Sequence, residues 1–389
     1  MSSPDLTEAE IKAVNQVLST PILSIGQQLD DFERALATYL GVRYAIGVNC
    51  GTSGLHLCMI AAGVGTDDLV ITTPFSFVAS ANCVLYERAV PVFVDVDPDS
   101  GCIDPDAVQV CVADLQVGSR YADKWLPPAL RGSKANPCQL KAILPVHAFG
   151  QPADMDAITN TARKHELCVI EDACESIGAE YKGQKAGTMG DAAVFAFYPN
   201  KQMTTGEGGM IVTGHESWDE LFRSLRNQGR DVFDTWLNHT RLGYNYRLDE
   251  MSAALGLAQL KRLEELLAKR ERVATWYNER LANQELIETP FIAPTTTRMS
   301  WFVYVVRVKP PAQRDQIVRQ LADAGIPSRP YFRPIHLQSF YRKRFGYQRG
   351  DFPVTEYLGD VSLALPFSSV MTEEQVEFVC KNLVHIVEC

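Results

Sequence analysis

The sequence predicts an α/β protein in which a mainly parallel sheet is covered by helices on both faces. Three observations predict it. About seven short apolar runs, at 44–48, 69–73, 90–96, 142–146, 168–171, 192–197 and 210–212, alternate mostly with helix-like segments. Polar or glycine-rich turns follow several of these runs, at the strand ends where such sheets bind ligands. After Leu248 the runs stop, and the chain changes to a long helical stretch and a smaller α/β unit.

Taken in order, residues 7–18 and 28–40 read as two amphipathic helices joined by PILSIG. The seven runs then build the sheet. Residues 109–138 interrupt them with mixed polarity, little periodicity and the turn signals PP and NP, and read as an inserted loop or excursion. DEMSAALGLAQLKRLEELLAKRERVATWYNERLA reads as a long helix, straight or bent, that leads out of the sheet. Beyond it come a strand at 302–308, a helix at 312–324, a loop rich in proline and aromatics at 327–341 and a last helix at 373–387. The expected division is a large domain over 1–250 and a connecting helix with a small C-terminal domain over 251–389.

Composition narrows the function classes. A chain of 389 residues with 46% hydrophobic and 22% charged residues is large enough for two cores. Its formal charge of -10 argues against nucleic acid or an anionic membrane as main partner, while leaving room for a local basic patch. No run of eighteen apolar residues occurs, and MSSPDLTEAE lacks the basic start and apolar centre of a signal peptide, so a cytoplasmic protein is expected. The ten cysteines lack paired short spacings, and Cys58, Cys83 and Cys168 lie in apolar runs; they read as reduced core residues, with no metal site.

The chemistry points to strand ends. In DAAVFAFYPNKQMTTGEGGMIVT a single lysine, Lys201, lies in a polar turn between two apolar runs, with Gly206, Gly208 and Gly209 allowing close approach of the backbone. A lysine in a loop is ordinarily a solvated charge, but here both flanks favour a partly desolvated amine able to attack a carbonyl. Gly51, Thr52, Ser53 and Gly54 open a helix after the first run, and read either as an anion cradle or as ordinary N-cap chemistry. Asp172 closes the run VIE, either as an N-cap or as partner to a cation such as a protonated ring nitrogen. Phe75 and Phe77 follow the second run and could stack on a flat ring or pack in the core. His147 ends another run, as a site residue or a hydrogen-bonded core histidine. Together, a phosphate cradle, an aromatic lid, an acid for a pyridinium nitrogen and a lysine for an aldehyde are what pyridoxal 5'-phosphate requires.

The motifs SIGQQLDDFERALATYLGV, GVNCGTSGLHL, ITTPFSFVASAN, PVFVDVDP, ILPVHAFGQPADMDAI, VIEDACESIGA, FAFYPNKQMTTGEGGMI, LGYNYRLDEMSAALGLAQL and LALPFSSVMTEEQV stand in one order along nearly the whole chain. In that order the chain resembles the DegT-type sugar aminotransferases, a branch of the aspartate-aminotransferase fold, fold type I of the pyridoxal-phosphate enzymes. The resemblance implies a seven-stranded α/β/α sandwich with a smaller C-terminal domain. It implies that Lys201 holds the cofactor covalently and shuttles the proton, that Asp172 keeps the pyridine nitrogen protonated, that Thr52 and Ser53 with Gly51 bind the phosphate, and that Phe77 stacks on the ring. Asn245 in GYNYR resembles a residue that reaches the phosphate of a neighbouring subunit, with Arg247 beside it, so a homodimer with shared sites is implied.

Three positions depart from the common pattern. Ala196 stands where a serine often binds phosphate, Tyr198 where a histidine is frequent, and Glu175 in place of a glutamine near the ring hydroxyl. An ionised Glu175 would sit badly beside a phenolate, so it is expected to be protonated or turned toward a donor. The resemblance further implies a ping-pong transfer from L-glutamate to a nucleotide-linked 3- or 4-keto sugar. The retained Lys201 favours amino transfer over the dehydration carried out by related enzymes with histidine there. Arg329, Tyr331, Arg333 and His336 read as contacts to the diphosphate or sugar, or as a solvated interdomain loop. A free cyclic ketone as acceptor and a catalytically silent cofactor-binding protein are the alternatives, separated by the acceptor's need for a nucleotide and by conversion of the cofactor with glutamate.

Overall fold

The computed structural model describes residues 2–117, 120–132, 139–230 and 238–388. All seven apolar runs form strands of one sheet, as expected: β1 (Tyr44–Val48), β2 (Leu69–Thr72), β3 (Val90–Phe93), β4 (Leu140–Ile143) and β5 (Cys168–Asp172) come first in the chain. The short strands β6 (Glu180–Tyr181) and β7 (Gln184–Lys185) leave the sheet before β8 (Ala192–Ala196) and β9 (Gly209–Thr213) return to it. The order across the sheet is β1-β9-β8-β5-β4-β2-β3. β3, β2, β4, β5 and β8 run parallel, whereas β9 pairs antiparallel with both β8 and β1. The sheet is apolar because it is covered twice. One face buries Ile46, Val70, Leu144 and Ile170 against the helix Gly51–Ala61, while Phe195, Met210 and Val212 on the other meet Phe32 and Leu36 of the helix Gln27–Leu40.

A second, four-stranded sheet follows in the chain. Its order is β10 (Ile287–Glu288), β12 (Tyr304–Val308), β14 (Ser362–Leu365), β13 (Arg329–Pro330), all antiparallel, with β11 (Thr296–Arg298) turned away to pair with β6. The helices Leu263–Leu281 and Glu373–Glu388 bring Val273, Tyr277, Val376 and Leu383 to its core.

Three expectations need correction. The long helix is two, Glu250–Lys261 and Leu263–Leu281, because Arg262 leaves helical geometry at φ -108° while its guanidinium binds Asp5, Glu10 and Glu265. The region read as an irregular insertion carries the helix Pro105–Val117, which buries Val108, Cys111 and Val112; residues 118–119 and 133–138 of it lie outside the described residues. Beyond residue 340 the helix Pro353–Val361 runs directly into β14, a strand the sequence reading did not separate. The described cysteines are free thiols, with Cys58 and Cys83 buried. No described helix is long and apolar enough to cross a membrane.

Candidate active site

The antiparallel register of β8 and β9 makes the lysine turn a hairpin loop. Phe197 N donates to Gly208 O at 3.0 Å, Thr205 N to Phe197 O at 3.0 Å and Lys201 N to Tyr198 O at 2.9 Å, so the loop backbone is tied at its neck and tip. Lys201 is not solvated: its side chain is 13% exposed, with Nζ 3.6 Å from Glu175 Oε1 and 3.8 Å from the centre of the Phe302 ring. Glu175 also accepts from Phe149 N at 3.0 Å. Burial pushes the Glu175 carboxyl above the ordinary range and the Asp172 charge adds to this, against the downward pull of Lys201. The two Glu175 oxygens face the Phe149 amide and the Lys201 amine, the second of the two expected arrangements.

Asp172 ends β5. Alternation along a strand sends Glu171 to one face and Asp172 to the other. Asp172 is buried, with Oδ2 accepting from Ser80 Oγ at 2.8 Å and Oδ1 from Cys174 N at 3.2 Å; Ser80 in turn lies 2.7 Å from Ser76 Oγ. Glu171 serves the opposite side, where it accepts from three backbone amides, of Gly187, Met189 and Gly190, at 2.6 to 2.8 Å.

The helix Gly51–Ala61 starts beside both. Its N-cap is Cys50, whose Sγ accepts from Ser53 N at 3.4 Å and lies 3.2 Å from Ser53 Oγ. Among the described residues no hydrogen bond reaches the Thr52 hydroxyl, so neither Thr52 nor Ser53 is the cap. A Cβ on Gly51 would stand 2.8 Å from Cys174 Sγ and 2.9 Å from the Ala196 Cβ, and one on Gly209 2.8 Å from Gly51 N. Only glycines allow that approach. Residues two after Asp172 and five before Lys201 thus touch the same helix start, which gathers acid, amine and free amides around one small volume.

Beyond Phe302 the Tyr331 ring, 6.4 Å away, leads to a cleft of about 790 Å³ lined by Phe77, Tyr86, Tyr331, Arg333, Phe340 and Arg344 among others. Burial, with the Glu175 charge, pushes the Tyr331 hydroxyl upward. Phe77 and Tyr198 are largely exposed, Asn245 and Arg329 are exposed, and Arg247 donates to Asn227 Oδ1 at 3.1 Å. Two expected substrate residues do not face this space. His147 is fully buried with both ring nitrogens engaged, by Glu171 Oε2 at 2.9 Å and Ala153 N at 3.2 Å. His336 is fully buried against Glu356 at 2.9 Å, and burial lowers its proton affinity despite that carboxylate. Both are core histidines: for His147 that is the plainer of its two readings, whereas His336 is neither a substrate contact nor part of a solvated loop. Missed altogether were Ser80, one helical turn after Ser76 in FSFVAS, and Phe302 and Arg270, which reach the lysine from distant elements.

The model of the DegT/DnrJ/EryC1/StrS aminotransferase family matches residues 4–384. The chain belongs to that family. A member from Caulobacter vibrioides, GDP-perosamine synthase, is 38% identical over 387 residues, covering 98% of this chain and 96% of the relative. DesV from S. venezuelae superposes with a TM-score of 0.86 at 30% identity, covering 98% of this chain and 94% of its own. Spr1654 from Streptococcus pneumoniae, in its PLP form, superposes with a TM-score of 0.87 at 25% identity, covering 100% of this chain and 98% of its own. As a DegT-type aminotransferase the chain has fold type I, and its cofactor is pyridoxal 5'-phosphate. The residues present fit that group: a helix start with an unpartnered Thr52 hydroxyl for the ester, a buried carboxylate for a ring nitrogen and a shielded amine for an aldehyde.

Proposed function

We propose that this aminotransferase moves the amino group of L-glutamate to a 3- or 4-keto sugar carried on a nucleoside diphosphate, in two half-reactions at one site. The observation that carries the reading is the meeting at Gly51, where Cys174 beside Asp172, and Ala196 ahead of Lys201, touch the start of one helix. The acceptor class is supported by the name of the Caulobacter relative and by the cleft beyond Tyr331. Arg333 and Arg344 there are suited to phosphates, and Tyr86 and Phe340 to flat or apolar ring faces.

When bound, pyridoxal phosphate supplies an electron-withdrawing ring that stabilises negative charge on the carbon beside the transferred nitrogen. Lys201 holds the cofactor and, once free, carries a proton at Nζ between the carbons that exchange nitrogen. Asp172 keeps a proton on the ring nitrogen, while Ser80 and the Cys174 amide orient its carboxylate. Thr52, Ser53 and the Gly51 amide would hold the phosphate, and Phe77 would cover the ring. Glu175, whose carboxyl burial pushes above the ordinary range, would face the ring oxygen side. Tyr198, Arg247, Arg329 and Tyr331 stand as contacts to substrate.

Each site is completed by a second copy of the chain. Exposed Asn245 is suited to reach a neighbour's phosphate, and the exposed apolar Leu18, Ile22, Leu23 and Ile25 give a partner a face to cover. The division near residue 250 belongs to the same reading, with the helix Glu250–Lys261 as the start of the connection.

A panel of keto sugars, nucleotide-linked and free, assayed with amino-labelled glutamate tests the proposal. Label in a nucleotide-linked amino sugar is the expected result. Label only in free cyclic ketones overturns the acceptor class, and a cofactor that glutamate never converts to its amino form overturns the donor.

A further inference from the structure

Arg270 lies in the middle of the helix Leu263–Leu281 and is 2% exposed. Among the described residues no carboxylate pairs with it. Its guanidinium instead donates to four main-chain carbonyls: Lys201 at 2.7 Å, Asn200 at 3.4 Å, Trp301 at 3.1 Å and Phe302 at 3.2 Å. The Phe367 ring lies 5.6 Å from its centre, and its Nε has no hydrogen-bond partner. A buried cation without a counter-ion is costly, and simple stability is served better by a well-packed apolar side chain. Burial pulls this guanidinium down to about 10, which leaves it charged at neutral pH.

The four carbonyls belong to two segments. Asn200 and Lys201 are the tip of the hairpin loop; Trp301 and Phe302 are the stretch whose Phe302 ring covers the lysine amine. That second stretch is awkward backbone. Trp301 has φ +52°, and its neighbours Ser300 N and Phe302 N donate to Gly150 O and Phe149 O, the latter residue at φ +60°. Left-handed non-glycine residues are strained and persist only where the surroundings over-determine them. Gln202 adds a second tie, donating to Ser300 Oγ at 2.8 Å and Glu175 O at 2.6 Å.

We infer that Arg270 is a positioning residue for the transfer reaction: its planar fork fastens the backbone of Lys201 to that of Phe302, and so sets where the lysine amine meets an aldehyde. The inference rests on the proposed role of Lys201. A lysine at 270 would keep the charge but not the fork, since an ammonium is a point donor that cannot span four carbonyls on two segments.

The test mixes apoprotein with free pyridoxal 5'-phosphate, follows formation of the covalent link by absorbance, and maps the borohydride-reduced linkage by peptide mass. Linkage at Lys201 in the unaltered chain is the precondition, and linkage elsewhere fails the reading of the lysine separately from this one. Given that precondition, Arg270→Lys is expected to slow link formation about 10- to 100-fold and lower kcat by a similar factor, with the KM for the amino donor within about twofold. A merely structural arginine would lower the unfolding temperature and leave the linking rate of the folded fraction unchanged, which overturns the inference. Arg270→Gln removes the fork and the buried charge while keeping a planar amide donor, and serves if Arg270→Lys does not fold. Slowing by about tenfold is expected there, and an unaltered linking rate in this variant also overturns the inference.

Discussion

Two buried arginines show how differently this fold uses the same charge. At one edge of the central sheet Arg226 is paired with Glu33, which also takes Arg223 at 2.8 Å and the Gly47 amide at 2.8 Å. Burial pushes the Glu33 carboxyl up, but Arg226 and Arg223 outweigh it and hold it below the ordinary range. Beside the lysine, Arg270 has carbonyls where Arg226 has a carboxylate. With Asp219, which takes Arg223 Nε at 2.9 Å, the first cluster closes its own charge and ties two helices to β1, so its effect is on stability. The second leaves its charge balanced only by dipoles, so its effect is on where two loops stand. The comparison teaches that burial of a charge does not by itself report its purpose; the partner does.

Variants on the two sides should therefore separate rate from stability. The largest effect is expected from Lys201→Ala, with transfer reduced by about four orders of magnitude or more and the unfolding temperature of the apoprotein within a few degrees. A yellow, active protein in absorbance and turnover assays would break the assignment. Next comes Glu33→Ala, which strands the buried Arg226 guanidinium, Arg223 keeping Asp219 at 2.9 Å, and should cost about 3–5 kcal/mol in urea unfolding while leaving kcat per folded molecule unchanged. Because the Glu33 carboxyl is lowered from 4.5 on folding, that stabilisation is present above the ordinary carboxylate value and lost as pH falls through the folded one. Acid unfolding of the two proteins should converge at low pH.

On the lysine side, Asp172→Asn should reduce turnover about 100-fold, read as a fall in kcat with cofactor still bound; a rate close to normal would assign ring protonation to another group. The smallest effect is expected from Glu175→Gln. Its carboxyl is raised on folding, so the folded chain holds that proton to higher pH than the unfolded chain, and stability is lost as pH rises through the folded value. The glutamine variant of the apoprotein should be stabilised more near pH 8 than near pH 4 in urea unfolding. A gain that is the same at both pH values would show that folding leaves the proton affinity of this carboxyl unchanged.

The sheet was readable from the sequence because its strands are buried on both faces and so are apolar without interruption. The helix Pro105–Val117 was not, since Val110 and Val117 are exposed and blur the helical period. β14 hides because its four residues follow a helix without a turn, and Leu-Ala-Leu suits either element. Lys201, Asp172 and Gly51 were legible because they sit where strands end, which topology alone marks as the ligand side. His147 carried the same marker and His336 stood in a loop rich in arginine and aromatics, yet Glu171 and Glu356 draw them into the core, and nothing in the local sequence says to which side such a ring folds. Arg270 stands in KRERVATWYNER, where one more charge looks like part of a solvated helix face. Its burial depends on the helix crossing two loops from elsewhere in the chain.

The contact between Gly209 and Gly51 bears on how such an enzyme can be retuned. At Gly209 the floor beneath the helix start is main chain against main chain, and at Gly51 it meets Cys174 Sγ and the Ala196 Cβ, with no room to add a side chain at either. The far wall of the cleft is different: Phe340 is 53% exposed and Arg344 is likewise open to solvent. A directed-evolution library aimed at new acceptors has its freedom on that wall, and diversity introduced at the two glycines will yield misfolded chains instead of altered selectivity.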